Sequence, residues 1–371
     1  MKRLLLTFLL FGAHLVNAGP VDTLTVMTYN VLNYPDASDN RVESLRKVIH
    51  SVDPDILVVQ EMWENRLGHF RSNIFPEGGY SYAPFIGNDT NVALFFRNGR
   101  ISYLGQRIVS TSLRNIVGYE LRMQSTEQIS YAFWIFGLHL KAGNDEDEVQ
   151  QRESEISELR GALADIPQDA HYLVTGDFNL YRSSEPAYQI LIDGFAVDLF
   201  DPIDQPGNWH SNWQYSDIHT QSTRSSDIGD GGSSGGLDDR FDFILLSSAF
   251  QDSTGLWYME NSYLAYGNDG DHLNQSINAG GNSSVDQTIA DALYRGSDHL
   301  PVVAKLIVQK LQRGDIDADG RISQNDIDQI LDIILEVKPN PTTTEIGLAD
   351  VNSDGTVDVR DVVVLLRQHS Q

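Results

Sequence analysis

The sequence predicts an α/β fold, with sheets covered by helices and a small, separate all-α module at the C-terminal end. Three observations carry that reading. Short runs rich in Val, Ile, Phe and Tyr recur between Gly, Asn, Asp or Pro, as buried strands do. Segments between them repeat apolar residues at helical spacing. A duplicated acidic twelve-residue pattern occupies the end of the chain. With 371 residues, 41% of them hydrophobic, there is material for a large core and for more than one domain, which excludes a disordered or low-complexity protein.

Taken in order, Lys2 and Arg3 precede an apolar run over 4–13, and Val16-Asn17-Ala18 places small residues where a signal peptidase reads. The run is shorter than the ~20 residues that span a bilayer. Residues 1–18 are therefore expected to be a signal peptide cleaved after Ala18, leaving a secreted, extracellular or cell-surface protein with no transmembrane segment. Strands are predicted at 24–29, 56–59, 92–96, 131–138, 172–175, 241–246 and 301–307. Helices are predicted at 41–50 and 146–164, the second with Val149, Ile156, Leu159 and Leu163 on one face. Residues 201–237, rich in Ser, Gly, Asp and Trp, read as a long surface loop of the functional kind, and 267–286 as a second polar insertion. The acidic repeat begins just beyond, which sets the domains at 19–312 and 313–371.

Charge and cysteine content narrow the chemistry. Fifty-two acidic against 26 basic side chains give a net charge of −26, which opposes broad electrostatic attraction to nucleic acid. Any polyanion must be met by metal ions or by a local basic patch. The absence of cysteine excludes disulfides, thiolate-held zinc and a thiol nucleophile.

Polar residues gather at the predicted strand ends: Asn30, Glu61, His139, Asp177 with Asn179, Asp242, and Asp298 with His299. Singly, each has a plainer explanation as a turn former, helix cap or hydrogen-bonded structural residue. As a set they can converge on one sheet edge, giving oxygen ligands for a hard cation and imidazoles for a substrate. Lys141, beside His139, and Arg224, closing the segment 218–224, are the candidates for a local cationic patch that binds substrate phosphate.

The order Tyr29-Asn30, Gln60-Glu61, Gly137-Leu138-His139, Gly176-Asp177-Phe178-Asn179, Arg240-Phe241-Asp242 and Ser297-Asp298-His299-Leu300-Pro301 resembles the endonuclease/exonuclease/phosphatase superfamily over about 23–306. The resemblance implies a four-layer α/β/β/α sandwich of two mixed sheets, with the site where loops of both meet. It also implies that Glu61 and Asn30 hold or support Mg2+ or Mn2+, with Asp298 beside them. By the same resemblance Asp177 activates the attacking water, Asn179 positions phosphate or water, and His139 and His299 contact phosphate and move protons. Asp242 would orient His299. The function so implied is a secreted metal-dependent phosphodiesterase, a DNA endonuclease ahead of RNA. Sphingomyelinase, inositol-phosphate phosphatase or a non-catalytic phosphate-binding protein are the alternatives. The enzyme is expected to act as a monomer.

The C-terminal repeat places Asp315, Asp317, Asp319 and Asp326, then Asp350, Asn352, Asp354 and Asp361, at ligand positions of EF-hand-like loops. Arg321 and Thr356 supply the position-7 carbonyls and Gly320 and Gly355 the sharp turns. Each loop is expected to bind one Ca2+ and to be followed, not preceded, by a helix. Ile327, Ile330, Leu331, Ile334 and Leu335, then Val362, Val363 and Leu366, form the apolar faces. This arrangement resembles a type I dockerin, whose partner is a cohesin. Gln324-Asn325 and Val359-Arg360 stand where dockerins commonly carry Ser-Thr.

Overall fold

The computed structural model describes residues 21–34, 41–87, 91–124, 130–167, 169–192, 199–252, 255–318 and 320–369. The expected signal peptide and Asp319 lie outside the described residues. In chain order the elements to Gln309 are β1 (Val21–Asn30), α1 (Arg41–Val52), β2 (Ile56–Met62), α2 (Leu67–Ile74), β3 (Tyr80–Tyr82), β4 (Asn91–Arg97), β5 (Ile101–Val109), β6 (Ile116–Gln124) and β7 (Ser130–His139). They continue as α3 (Glu146–Leu163), β8 (Tyr172–Asp177), α4 (Pro186–Ile192), β9 (Leu199–Phe200), β10 (Asp242–Ser247), β11 (Leu256–Tyr258), β12 (Leu264–Ala265), α5 (Gln287–Gly296) and β13 (Val302–Gln309).

The strands form two mixed sheets. One runs β11-β13-β1-β2-β4-β3, with β12 also on β13; the other runs β5-β6-β7-β8-β10-β9. Parallel pairing occurs where a helix makes the crossover, α1 between β1 and β2 and α3 between β7 and β8. Inward residues of both sheets, among them Val26, Val58, Val117, Ile135, Leu173 and Ile244, pack into one buried layer. The outer faces are covered by α1, α2 and α5 on the first sheet and by α3 and α4 on the second, completing the α/β/β/α sandwich.

This topology positions the site. In parallel pairs both strands end on the same side, so β1 and β2 bring Asn30 and Glu61 to one edge. In the second sheet His139 is opposite Asp177 across β7 and β8, and Asp177 is opposite Asp242 across β8 and β10. Gly176, at φ +141°, allows that convergence: a Cβ there would lie 2.0 Å from the Leu138 carbonyl oxygen. Residues 201–237 are more built than a surface loop. Trp209 is fully buried in the outer core of the second sheet, and Asp201 forms a buried ion pair with Arg240.

From Gln309 the chain forms a second compact unit. Its helices are α6 (Gln324–Ile334), α7 (Thr343–Ala349) and α8 (Val359–His369). The expectation that neither acidic loop has a preceding helix is corrected, since α7 leads into the second. Its signal is the capping box Thr342 to Glu345 on a helix of only seven residues. Ile327, Ile330, Val362 and Leu365 are buried, whereas Leu335, Val363 and Leu366 face outward, so the inward stripe of α8 is narrower than expected.

Candidate active site

Asp177, at the end of β8, is the hub. Its Oδ2 accepts the Asn30 Nδ2 hydrogen at 3.0 Å and lies 3.4 Å from His139 Nε2 and 3.7 Å from His299 Nε2. Its Oδ1 accepts the Asn179 backbone N–H at 3.0 Å. Asn30 Nδ2 also donates to Glu61 Oε1 at 3.0 Å, and Glu61 Oε2 takes the Asn33 N–H at 2.8 Å. On the far side of Asp177, His299 Nδ1 donates to Asp242 Oδ2 at 2.7 Å. Asn179 Nδ2 donates to the Leu140 carbonyl at 3.2 Å. All eight residues expected at strand ends therefore come together, with Asp298 adjoining through Gln221.

The backbone is strained where it turns into the site. Glu61 has φ +61° and Asn179 has φ +52°, conformations that side-chain-bearing residues adopt only when their surroundings impose them. Ser297 fastens the two ends of the first sheet's contribution, its Oγ donating to the Asn30 carbonyl at 2.6 Å. Thr220 Oγ1 accepts the N–H groups of Phe241 and Asp242 and so fixes the start of β10.

Electrostatics divide the groups into roles. Burial pushes Asp177 up to about 7, with His299 opposing and Asp242 adding to the rise. His139 is held well below the ordinary imidazole value by burial, then by the charges of Arg114 and His299. Burial acts the same way on His299, but the carboxylates of Asp242 and Asp177 outweigh it and hold that ring well above its ordinary value. A neutral imidazole and a proton-bearing one thus flank a carboxylate of near-neutral pKa, a constellation suited to moving protons.

The residues also fit a hard divalent ion. Glu61 is the partly open carboxylate of the group, Asn30 adds a carboxamide oxygen, and Asp298 Oδ1 is buried without a hydrogen-bond partner. One set of metal-type atoms at the site is Asp177, Asp242 and His299, within 4.8 Å of one another. There His299 Nδ1 is already bonded to Asp242 Oδ2, which suits the pair to proton transfer.

The cationic patch needs correction. Arg224 is fully buried, and its Nη1 meets both carboxylate oxygens of Asp230 at 2.6 Å, so it offers no charge to a substrate. His219, in the same segment, is buried against the Trp209 carbonyl at 2.7 Å. Lys141 is half-buried, with Nζ bonded to the Ala142 carbonyl at 2.7 Å and 3.5 Å from Glu148. Two residues went unread in the sequence. Gln221 Nε2 lies 2.6 Å from His299 Nε2 and 3.3 Å from Asp298 Oδ2. Arg114, in the turn between β5 and β6, acts electrostatically on His139. Both are single residues in irregular segments, without a pattern to mark them.

In the C-terminal unit the loop carboxylates are already oriented by backbone N–H groups. Asp326 Oδ1 accepts from Ile316 at 2.7 Å and Asp315 Oδ2 from Gly320 at 2.9 Å. The second loop repeats this with Asp361 accepting from Asn352 at 3.0 Å and Asp350 from Gly355 at 3.1 Å. Oxygens of Asp315, Asp317 and Asp326 lie within 4.8 Å of one another. Gly320 and Gly355 take φ of +82° and +86°, the left-handed turn that the loop demands.

A model of the endonuclease/exonuclease/phosphatase family matches residues 27–299, and one of the dockerin type I domain matches 313–368. The chain belongs to the endonuclease/exonuclease/phosphatase family. Similar solved structures include D. rerio TDP2 with a single-strand DNA product, at 16% identity and TM-score 0.52, covering 76% of this chain and 98% of that one. Family proteins from Bacteroides vulgatus (16%, TM-score 0.51, 77% and 98% covered) and Bacteroides thetaiotaomicron (15%, TM-score 0.50, 78% and 97%) share the fold. No curated protein matches the chain. As a member of this family the chain is a metal-dependent phosphoester hydrolase. Its C-terminal module is a dockerin; such domains bind calcium, dock onto cohesins and occur in extracellular or cell-surface proteins. No helix among the described residues is long and apolar enough to cross a membrane.

Proposed function

We propose that this hydrolase is a secreted endonuclease that cleaves DNA with Mg2+ or Mn2+, attached to its site of action through the dockerin. The observation that carries the reading is the position of Asp177, in reach of Asn30, His139 and His299 at once. Asp177 takes a proton from water, whose oxygen attacks phosphorus in line as the opposite P–O bond breaks. Asn179 and Asn30 fix the direction of the Asp177 carboxylate, and His139 hydrogen-bonds a phosphate oxygen. His299, its charge stabilised by Asp242, donates to the phosphate and returns a proton to the site. Glu61, Asn30 and Asp298 would hold the divalent ion, which neutralises phosphate charge and stabilises the departing oxygen. DNA is favoured because the site is built of hydrogen-bonding groups suited to a phosphodiester, and because a protein of the same fold holds a single-strand DNA product.

A substrate panel tests this: plasmid and single-stranded DNA, RNA, sphingomyelin and inositol phosphates, each with magnesium, manganese or calcium. Preferred turnover of DNA with magnesium or manganese is expected. Exclusive turnover of a phosphomonoester or of sphingomyelin would replace the nuclease reading with that activity.

A further inference from the structure

The segment that follows Arg224 carries buried charge that neither the catalytic reading nor the stability of a surface loop requires. Arg224 is fully buried, its Nε and Nη2 make no hydrogen bond, and its Nη1 is spent on Asp230 at 2.6 Å to each oxygen. Desolvating a guanidinium for one carboxylate is a poor source of stability. It does, however, fix a position. Arg41 approaches the same carboxylate, Nε lying 3.7 Å from Asp230 Oδ2. Arg41 Nη2 donates at 2.8 Å to the carbonyls of Val31 and Leu32, the turn after Asn30, while Nε donates to the Gly296 carbonyl at 3.2 Å, two residues before Asp298.

From Asp230 the chain turns at Gly231, φ +84°, and delivers the Ser233 N–H to Asp298 Oδ2 at 2.7 Å. Gly232 lies between: a Cβ there would come within 2.7 Å of Leu32 Cδ2 and 3.2 Å of Asp298 Cβ. Beyond it, the Arg224 carbonyl takes the N–H groups of Gly235 and Gly236, and Ser222 Oγ donates to the Ser233 carbonyl at 2.7 Å. The segment is thus closed on itself and pressed against one carboxylate.

We propose that Arg41, Asp230 and Arg224 form a strut that holds Asp298 in register with Asn30 and Glu61, so that divalent-metal affinity depends on Asp230, which touches neither metal nor phosphate. This rests on the reading of Asn30, Glu61 and Asp298 as the metal side of the site. Asp230 is accordingly a positioning residue. Groups that hydrogen-bond a ligand directly, as the Ser233 N–H placed by Asp230 does to Asp298, are worth roughly 10- to 100-fold in metal affinity.

The test uses the full chain with its C-terminal loops saturated with calcium. Mn2+ binding is followed by electron paramagnetic resonance, and the metal dependence of hydrolysis is measured in parallel. Asp230→Asn keeps the shape and removes the charge. It is expected to weaken Mn2+ binding by about tenfold or more and to raise the half-saturating metal concentration by the same factor, with kcat at saturating metal within about threefold. Gly232→Ala, which pushes Asp298 from the same side, should shift metal affinity in the same direction and decides the matter if Asp230→Asn does not fold. Arg97→Ala, which breaks an ion-paired cluster with Asp53 and Asp55 at the opposite end of β2, should lower the melting temperature and leave metal affinity alone. If Asp298→Asn weakens Mn2+ binding while folded Asp230→Asn and Gly232→Ala do not, the strut is overturned. If Asp298→Asn itself binds Mn2+ normally, the metal-side reading falls and the strut with it.

Discussion

Replacing Asp242 by Asn isolates what the buried carboxylate does for His299. The side chain is fully buried, its Oδ2 is 2.7 Å from His299 Nδ1, and the backbone at 241–242 is held separately by Thr220. The substitution keeps the volume and the Thr220 bonds, so β10 should be undisturbed. It removes a charge-assisted bond worth about 1.5 to 3 kcal/mol, or roughly ten- to a hundredfold in rate if that bond strengthens in the transition state. A second loss follows from geometry. An Asn amide that presents N–H to Nδ1 forces the ring proton onto Nε2, and an Asn that presents its oxygen preserves the tautomer but not the imidazolium. We therefore expect kcat to fall by about two orders of magnitude with KM little changed, measured at saturating metal on the best substrate of the panel. Circular dichroism and thermal melting would establish that folding is intact. A folded Asp242→Asn enzyme whose kcat stays within about threefold would refute the dyad.

Excess chelator should abolish hydrolysis, and magnesium or manganese added with calcium held constant should restore it; full activity in chelator would exclude a metal role for Glu61. Lys141→Ala and Arg114→Ala should raise KM more than they lower kcat, because Lys141 follows His139 by two residues and the Arg114 charge acts on that ring, and a change confined to kcat would argue against phosphate contacts there. Asp239 is raised from 3.8 to about 6 by burial, with Asp238 adding and His210 opposing, so its ionised form costs stability. The penalty develops between 3.8 and about 6 and is constant above, about two units at ~1.4 kcal/mol each, or about 3 kcal/mol. Asp239→Asn should therefore raise the melting temperature at pH above that range and lose this advantage below it; an equal gain at both ends would show that charge is not the cause. In the dockerin, calcium at about 100 times its dissociation constant should stabilise by roughly 2.7 kcal/mol per site, read as a calcium-dependent melting transition. Identical melting in chelator and in calcium would leave the acidic loops without a metal role.

What the sequence made legible follows from how each feature is encoded. Strands buried on both faces, such as β2, β8 and β10, appear as continuous apolar runs; the predicted bounds fall within two residues of β8 and β10, and the prediction for β2 stops three residues short, where the polar Gln60 and Glu61 interrupt the run. β5 alternates buried and half-exposed residues irregularly around a bulge near Gly105, so neither period emerges. Helix α5 buries Ala290, Ala292 and Leu293 beside Gly296, side chains too small to stand out against the polar insertion before it. The candidate site residues are legible because strand ends impose short motifs. Arg224 was misread for a matching reason: a guanidinium among hydroxyls looks like a phosphate contact, and only the fold shows Asp230 six residues on closing over it.

That misreading bears on how so acidic a chain would handle the polyanion proposed as its substrate. The expected patch is consumed internally, Arg224 by Asp230 and Lys141 in part by Glu148, while Arg152 and Arg240 are buried in ion pairs with Glu185 and Asp201. Attraction for a phosphate then has to arise within the site, from a divalent ion, the charged His299 and Arg114, rather than from a basic surface. Such attraction acts over a few ångströms, inside the Debye length of about 8 Å at physiological ionic strength. A broad basic groove that releases many counterions loses affinity steeply with salt, whereas a site whose cationic groups are confined in this way would engage few phosphates at once. KM for DNA should accordingly rise only weakly with monovalent salt, with a logarithmic slope of about one to two instead of the steep slope of a basic groove. A steep slope would mean that DNA is held by cations beyond the catalytic cleft.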